Sequence, residues 1–188
     1  MSIIMKNIFA LLTTLILSLS LSYGQLYYTS NGQITFYSKA PLEDIEAKNK
    51  QVSCAIDFSK GQMAFSMLMN AFQFEKALMQ EHFNERYVES HKFPKATFAG
   101  SIQDIENINL SKAGSYSVTV SGKLTIHGVT QSVSSKGILK VSDDNSIRAN
   151  STFTINLEDY NVKIPTMYID NISESIEIEV NVKLKPKS

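Results

Sequence analysis

Apolar and polar side chains alternate along much of this chain. The alternation is clearest near the C-terminus, where Ile176, Ile178 and Val180 share one parity and glutamates occupy the positions between them. Because successive side chains of a β-strand point to opposite faces, this period of two predicts strands with one dry and one wet face. Eight strands are predicted, over Gly32–Lys39, Asn49–Phe58, Gln62–Met69, Lys95–Gln103, Ser115–Ile126, Val129–Val141, Arg148–Leu157 and Ser175–Leu184.

Turn residues separate these strands, among them Asn31-Gly32, Lys60-Gly61 and His127-Gly128. Strands with a wet face pair antiparallel, since parallel sheets are covered by helices on both faces. The pattern therefore predicts an all-β fold, a mostly antiparallel barrel or sandwich.

One segment departs from the period of two. Residues 74–87 contain no Gly or Pro and are rich in good helix formers. Five residues recur at helical spacing on one face, namely Leu78, Met79, His82, Phe83 and Tyr87. The segment is predicted to form a single helix of about three turns between two strands.

The first two dozen residues form a separate unit. Lys6 is the only basic residue before the apolar run Ile8–Leu21, and the small residues Ser22 and Gly24 follow it. The run has 14 residues, fewer than the roughly 20 needed to span a bilayer, so a retained membrane anchor is the weaker alternative. We therefore expect residues 1–24 to be a secretory signal peptide and 25–188 a single domain, periplasmic or secreted and soluble.

Charge and cysteine content narrow the classes of function. The 18 basic and 18 acidic side chains cancel, so the surplus of Lys and Arg that non-specific nucleic-acid binding needs is missing. Cys54 is the only cysteine and cannot form an internal disulfide. It is either a reactive thiol or a small apolar residue buried on a strand, and its shared parity with Val52 and Ile56 favours burial.

Motifs for catalysis, metal binding or a cofactor are missing from the sequence. The three histidines lack metal-site spacing, although His82 and Glu85 share a helix face and are a conceivable pair of ligands. Nucleophile elbows, phosphate loops and dinucleotide turns do not occur. An isomerase or hydrolase using His82, Tyr116 or Tyr160 as acid or base stays open as a minor alternative, without an orienting partner at any readable spacing.

Two blocks of the sequence resemble the YceI-like family. The first is Tyr87–Gly100 (YVESHKFPKATFAG), together with the preceding Met79–Phe83, and the second is Gly122–Val133 (GKLTIHGVTQSV). The resemblance extends from about Tyr28 to Leu184. Asn161 departs from the family pattern, because many members carry Gly at that position.

The resemblance implies a lipocalin-like, eight-stranded antiparallel β-barrel with one short α-helix inserted between strands. It also implies an exported bacterial protein that holds a long amphiphile, such as a polyisoprenoid or an isoprenoid quinone, in an apolar tunnel. No catalytic residue, metal or cofactor carries over. A homodimer through a strand edge or the helix stays possible.

Methionines are concentrated on one strand, where Met63, Phe65, Met67 and Met69 share a parity. Flexible thioethers adapt to an irregular ligand, and the ordinary alternative is a filled core in a structural or interaction protein. In a barrel, one parity of each strand points inward. The expected tunnel residues are Phe65, Met67, Met69, Phe83, Tyr87, Tyr116, Val118, Val120, Phe153, Ile155, Ile178 and Val180.

The signal-peptide interpretation can be tested directly. We expect exported protein to begin near Gln25, because the apolar run is too short to stay in the membrane. N-terminal sequencing of the exported fraction checks this, and Met1 retained in a membrane fraction would contradict it.

Overall fold

Antiparallel strands make up most of the molecule. The computed structural model describes residues 25–187, so the expected signal peptide lies outside the described residues. The strands are β1 (Leu26–Lys39), β2 (Asp44–Asp57), β3 (Gln62–Leu68), the two-residue β4 (Gln73–Phe74), β5 (Lys95–Ile102), β6 (Gly114–Ile126), β7 (Val129–Val141), β8 (Ile147–Asn156) and β9 (Ser175–Pro186). The helix α1 (Ala77–His82) follows β4, and four short 3₁₀ turns lie in the connections.

The eight long strands close into a barrel. Their order is β1-β9-β8-β7-β6-β5-β3-β2, and β1 pairs with β2 as well as with β9. The short β4 pairs with two residues in the first half of β2. The predicted fold, a lipocalin-like antiparallel barrel of eight strands with one short helix, is confirmed.

Strands β1 and β2 begin earlier than the sequence pattern predicts, because each changes parity along its length. Tyr27 and Ile34 are both buried on β1 although one position is odd and the other even, and the β1–β2 register shifts between Thr29 and Ile34. Such a bulge moves later residues to the opposite face. On β2, the fully buried Asn49 supports the irregularity by donating to the Leu68 carbonyl and accepting from the Gln51 N–H, both at 2.8 Å.

The helix is shorter than predicted. Phe74 pairs with Ala47 as part of β4, and α1 begins only at Ala77. Residues Phe83–Tyr87 form a π-helical turn, in which the Val88 N–H donates to the Phe83 carbonyl at 2.9 Å. This wider turn directs both Phe83 and Tyr87 toward the barrel. No helix within residues 25–187 has the length and apolarity needed to cross a bilayer.

A dense core closes the end of the barrel at which β1 begins. Here Ile56, Leu139 and Val182 are almost fully buried, and they belong to one cluster with Cys54. The β5–β6 connection covers this end with Ile105, Ile108 and Leu110, which pack against the cluster. We call this cluster the floor of the barrel.

Cys54 in the floor supplies a test of this packing. Its side chain is 2% exposed, and burial raises the pKa of its thiol to about 12, so the reactive thiolate is scarce at ordinary pH. We expect a thiol reagent to leave Cys54 unlabelled in the native protein at mildly alkaline pH and to label it fully in denaturant. In a Ser53→Cys variant, the exposed neighbour should label in the native state. Equal native and denatured rates for Cys54 would show the floor to be loosely packed.

Candidate functional site

An apolar cavity of about 570 Å³ lies above the floor, inside the barrel. Phe36, Val120 and Phe153 point into it from three different strands, and each retains exposed surface although it lies within the barrel. The side chains meet across an open space because eight strands enclose an interior that side chains do not fill here. A cavity of this size falls within the range of about 300–1,000 Å³ usual for ligand pockets.

Eleven of the twelve residues expected to line the tunnel border this cavity. They are Phe65, Met67, Met69, Phe83, Tyr87, Val118, Val120, Phe153, Ile155, Ile178 and Val180. Tyr116 does not border the cavity. It has the inward parity of β6, but it lies below the cavity, packs against the floor and donates its hydroxyl to the Asn109 carbonyl at 3.1 Å.

Aromatic side chains that sequence reasoning missed line the upper cavity. Phe36 and Phe72 lie with their ring centroids 5.3 Å apart, and Phe83 lies within 5.0 to 5.7 Å of Phe36, Phe72 and Phe74. The cluster attaches the π-helical turn to β1. Phe36 shares the inward parity of Ile34, so the alternation in the later half of β1 could have predicted it as a cavity residue. Phe72 lies in a connection with no periodic pattern, so no alternation indicated that residue.

Two glycines make room for another aromatic side chain that was missed. Gly100 on β5 pairs directly with Gly122 on β6, and the ring of Phe98 lies over both. A Cβ atom at either glycine would come within 2.6 Å of that ring. The paired glycines therefore hold Phe98 flat against the wall, where it borders the cavity.

The mouth of the cavity lies at the end opposite the floor. The β1–β2 turn, helix α1 and the β8–β9 connection surround it, contributing Glu43, Leu78 and Tyr168 to the lining. Lys76 at the mouth donates to the Glu43 carboxylate at 2.6 Å, and this hydrogen bond and charge raise the pKa of Lys76. The ion pair is exposed to solvent and contributes little to stability.

One side of the wall is held by side chains rather than by a strand ladder. Strands β7 and β8 pair only from Val141–Ile147 to Gly137–Ser151, and above that point they separate. The hydroxyls of Ser135 and Ser151 lie 2.7 Å apart, and Ser151 also donates to the Lys136 carbonyl at 2.8 Å. Above them, the start of the β8–β9 connection fills the gap.

Tyr160 from that connection plugs the gap beside the cavity. It packs with Leu124 and Val162, and only 1% of its surface is exposed. Within residues 25–187 its hydroxyl has no hydrogen-bond partner, and burial raises the pKa of this phenol. His127 holds the connection in place, because its ring nitrogens lie 3.2 Å from the Tyr160 carbonyl and 3.0 Å from a Glu89 carboxylate oxygen.

The residues considered for catalysis or metal binding do not converge. His82 borders the cavity, whereas Glu85 is exposed and does not. Tyr116 and Tyr160 lie apart, one on the floor and one in the side wall. The described part of the chain holds no group of three His, Cys, Asp or Glu side chains arranged as a metal site.

The arrangement of a closed barrel, a floor and an apolar cavity agrees with a family comparison. The family model described as the YceI-like domain matches residues 28–184. The chain belongs to the YceI-like family. This confirms the resemblance noted in the sequence, and a search of curated proteins finds no significant match.

Solved structures share this YceI-like fold at low sequence identity. A polyisoprenoid-binding domain from Saccharophagus degradans, implicated in plant cell wall breakdown, is similar with a TM-score of 0.76 and 14% identity, over 87% of this chain and 99% of that chain. BcnA of Burkholderia cenocepacia gives 0.66 and 18%, over 81% and 95%. The YceI protein of Campylobacter jejuni gives 0.60 and 17%, over 76% and 85%.

The departure at Asn161 has a conformational explanation. Asn161 adopts a φ of 57°, in the left-handed region that suits glycine, and it ends the 3₁₀ turn that carries Tyr160. Asparagine tolerates this region better than other residues with a side chain. Asn161 can therefore adopt the conformation that ends this turn and places Tyr160 in the wall.

The unpartnered hydroxyl of Tyr160 leads to a stability prediction. We expect Tyr160→Phe to leave the free energy of unfolding unchanged or raise it by up to about 1 kcal/mol, because a buried donor without a partner is removed. The matched control, Tyr116→Phe, removes a hydroxyl that donates to Asn109 and should cost about 0.5–1.5 kcal/mol. Denaturant unfolding of the two variants measures the difference. A Tyr160→Phe variant that loses more stability than the control would contradict the assignment.

Proposed function

We propose that this protein is an exported binding or carrier protein that holds the apolar chain of one amphiphilic lipid in the cavity. The ligand class is a long isoprenoid, such as a polyisoprenoid or an isoprenoid quinone. The observation that carries the proposal is the cavity of about 570 Å³, bordered mainly by apolar side chains inside a closed barrel. The polyisoprenoid-binding domain from Saccharophagus degradans, whose fold is similar, supports the same class of ligand.

Apolar contact alone is sufficient for such binding. Burying about ten methylene groups contributes roughly 8 kcal/mol, the free energy of a complex with a micromolar Kd. Charged groups are therefore needed only where the ligand's head meets water. In this protein those groups lie at the mouth, where Glu43 and Lys76 pair.

Binding is favoured over catalysis by the surroundings of the candidate acids and bases. Within the described residues, the hydroxyl of Tyr160 contacts no proton acceptor, and Tyr116 donates to a backbone carbonyl below the cavity. A general acid or base needs a hydrogen-bond partner that sets its protonation state. It must also lie within hydrogen-bond reach of the reacting atom. A structural barrel with a filled core is the second alternative, and the open volume above the floor argues against it.

The expected result can be tested with two substitutions on one strand. Val120 borders the cavity on β6, whereas Ser117 on the same strand is exposed on the outer surface. We expect Val120→Trp to fill the cavity and lower the affinity for a long-chain isoprenoid at least about tenfold, with the fold retained, because the added ring occupies ligand space. Ser117→Trp should bind normally. Thermal unfolding and ligand titration of both variants, with mass spectrometry of lipid extracted from the native protein, measure these outcomes.

A filled core would give a different result. Val120→Trp would then overpack the interior and cost roughly 1–3 kcal/mol of stability. Wild-type protein without co-purified lipid and without isoprenoid binding, combined with that loss, would overturn the carrier proposal.

A further inference from the structure

Exposed apolar side chains gather around the mouth of the cavity. Among residues 25–187, seven large apolar side chains are strongly exposed, and four of them lie in the β1–β2 turn, helix α1 and the β8–β9 connection, the segments that surround the mouth. They are Leu42 (72% exposed), Leu78 (59%), Met167 (77%) and Ile169 (47%). We call these four residues the apolar rim. Scattered single apolar residues are normal on a protein surface, whereas a cluster indicates an interaction site.

The apolar rim comes from three separate chain segments that are tied together. Leu42 in the β1–β2 turn donates its N–H to the Asp170 carbonyl of the β8–β9 connection at 2.9 Å. Nearby, the Ser173 N–H donates to the Ser38 hydroxyl at 2.8 Å. Leu78 projects from α1 and itself borders the cavity, as do the rim's neighbours Glu43 and Tyr168. The rim is thus continuous with the apolar lining.

The charges near the apolar rim do not favour an electrostatic partner. Residues 39–44, 75–82 and 157–174 form the three rim segments and carry three basic residues against eight acidic ones. They are Lys39, Lys76 and Lys163, and Glu43, Asp44, Glu75, Glu81, Glu158, Asp159, Asp170 and Glu174. Lys76 is already paired with Glu43. Attraction to an anionic surface needs an excess of basic residues, and this end of the protein has none.

We propose that the apolar rim docks on the surface of a lipid bilayer, so that the ligand passes between bilayer and cavity without crossing water. The inference rests on the proposed function, because an isoprenoid chain resides in bilayers and the rim surrounds the opening through which it would leave. Apolar side chains at the tips of a protein bind the bilayer interface by burying their surface among the lipid chains. Binding through such contacts is insensitive to salt, unlike binding through basic residues.

The experiment separates docking from ligand binding. The variant Leu42→Gln/Met167→Gln/Ile169→Gln changes three rim residues that do not border the cavity. The control Tyr28→Gln changes an exposed apolar residue near the start of β1, at the floor end of the barrel and away from the mouth. A fluorescent polyprenol is offered either from ethanol or within phosphatidylcholine vesicles, and vesicle flotation measures docking. We expect the rim variant to bind the probe from ethanol normally, to lose flotation and to take up the probe from vesicles at least about tenfold more slowly.

Each other outcome has a distinct meaning. Normal uptake from vesicles by the rim variant, or equal loss in the control, overturns the docking proposal. Wild-type binding that needs anionic lipid and disappears at high salt overturns it as well. Wild-type protein that binds the probe from ethanol but does not float with vesicles also overturns the docking proposal. In that case, a wild type that is a dimer in solution and a rim variant that is a monomer would assign the rim to contact with a second copy of the chain. If wild type binds the probe from neither source, the proposed function itself fails.

Discussion

The pairing of β1 with both β2 and β9 is the constraint on which the rest of the structure depends. Each of the eight long strands then has two neighbours, and the β8–β9 connection covers the stretch where β7 and β8 separate, so little strand edge is left on which another chain could pair. Closure also forces one side-chain parity of every strand into the interior. Eight strands enclose a space that side chains can fill or leave open, so the sizes of the inward side chains decide whether a cavity exists.

Those sizes differ between the two ends of the barrel. Branched residues such as Ile56 and Leu139 fill the floor and are almost fully buried. Higher up, inward positions are held by small residues, among them Ala96, Gly122 and Ser135, and the large side chains lie against the wall. An unfilled interior costs stability because its lining loses packing contacts. The dense floor supplies packing that compensates for the open upper half.

The fold was largely predictable, and the depth of each residue within the barrel was not. The alternation in β6, β8 and β9 is unbroken, so these strands were predicted within two residues of their observed ends. Irregularities within β1 and β2 change which parity of residue is buried, so the alternation did not predict the first residues of either strand. Parity gives the face of a strand but not the height along the barrel axis, which is why Tyr116 was expected in the cavity. At the mouth, Leu78 was expected on the apolar face of the predicted helix, whereas Glu43 and Tyr168 lie in connections without a period, so no sequence pattern predicted them.

Polar groups in this barrel are mostly committed to holding the scaffold. Ser135 and Ser151 border the cavity, but their hydroxyls bond each other and backbone carbonyls across the separated strands. Asn49 satisfies the backbone beside a bulge. With few polar groups free to meet a ligand, the interior cannot discriminate head groups by hydrogen bonding. Under the proposed function, selection inside the cavity therefore depends on the length and width of the apolar chain, and recognition of a head group is confined to the mouth.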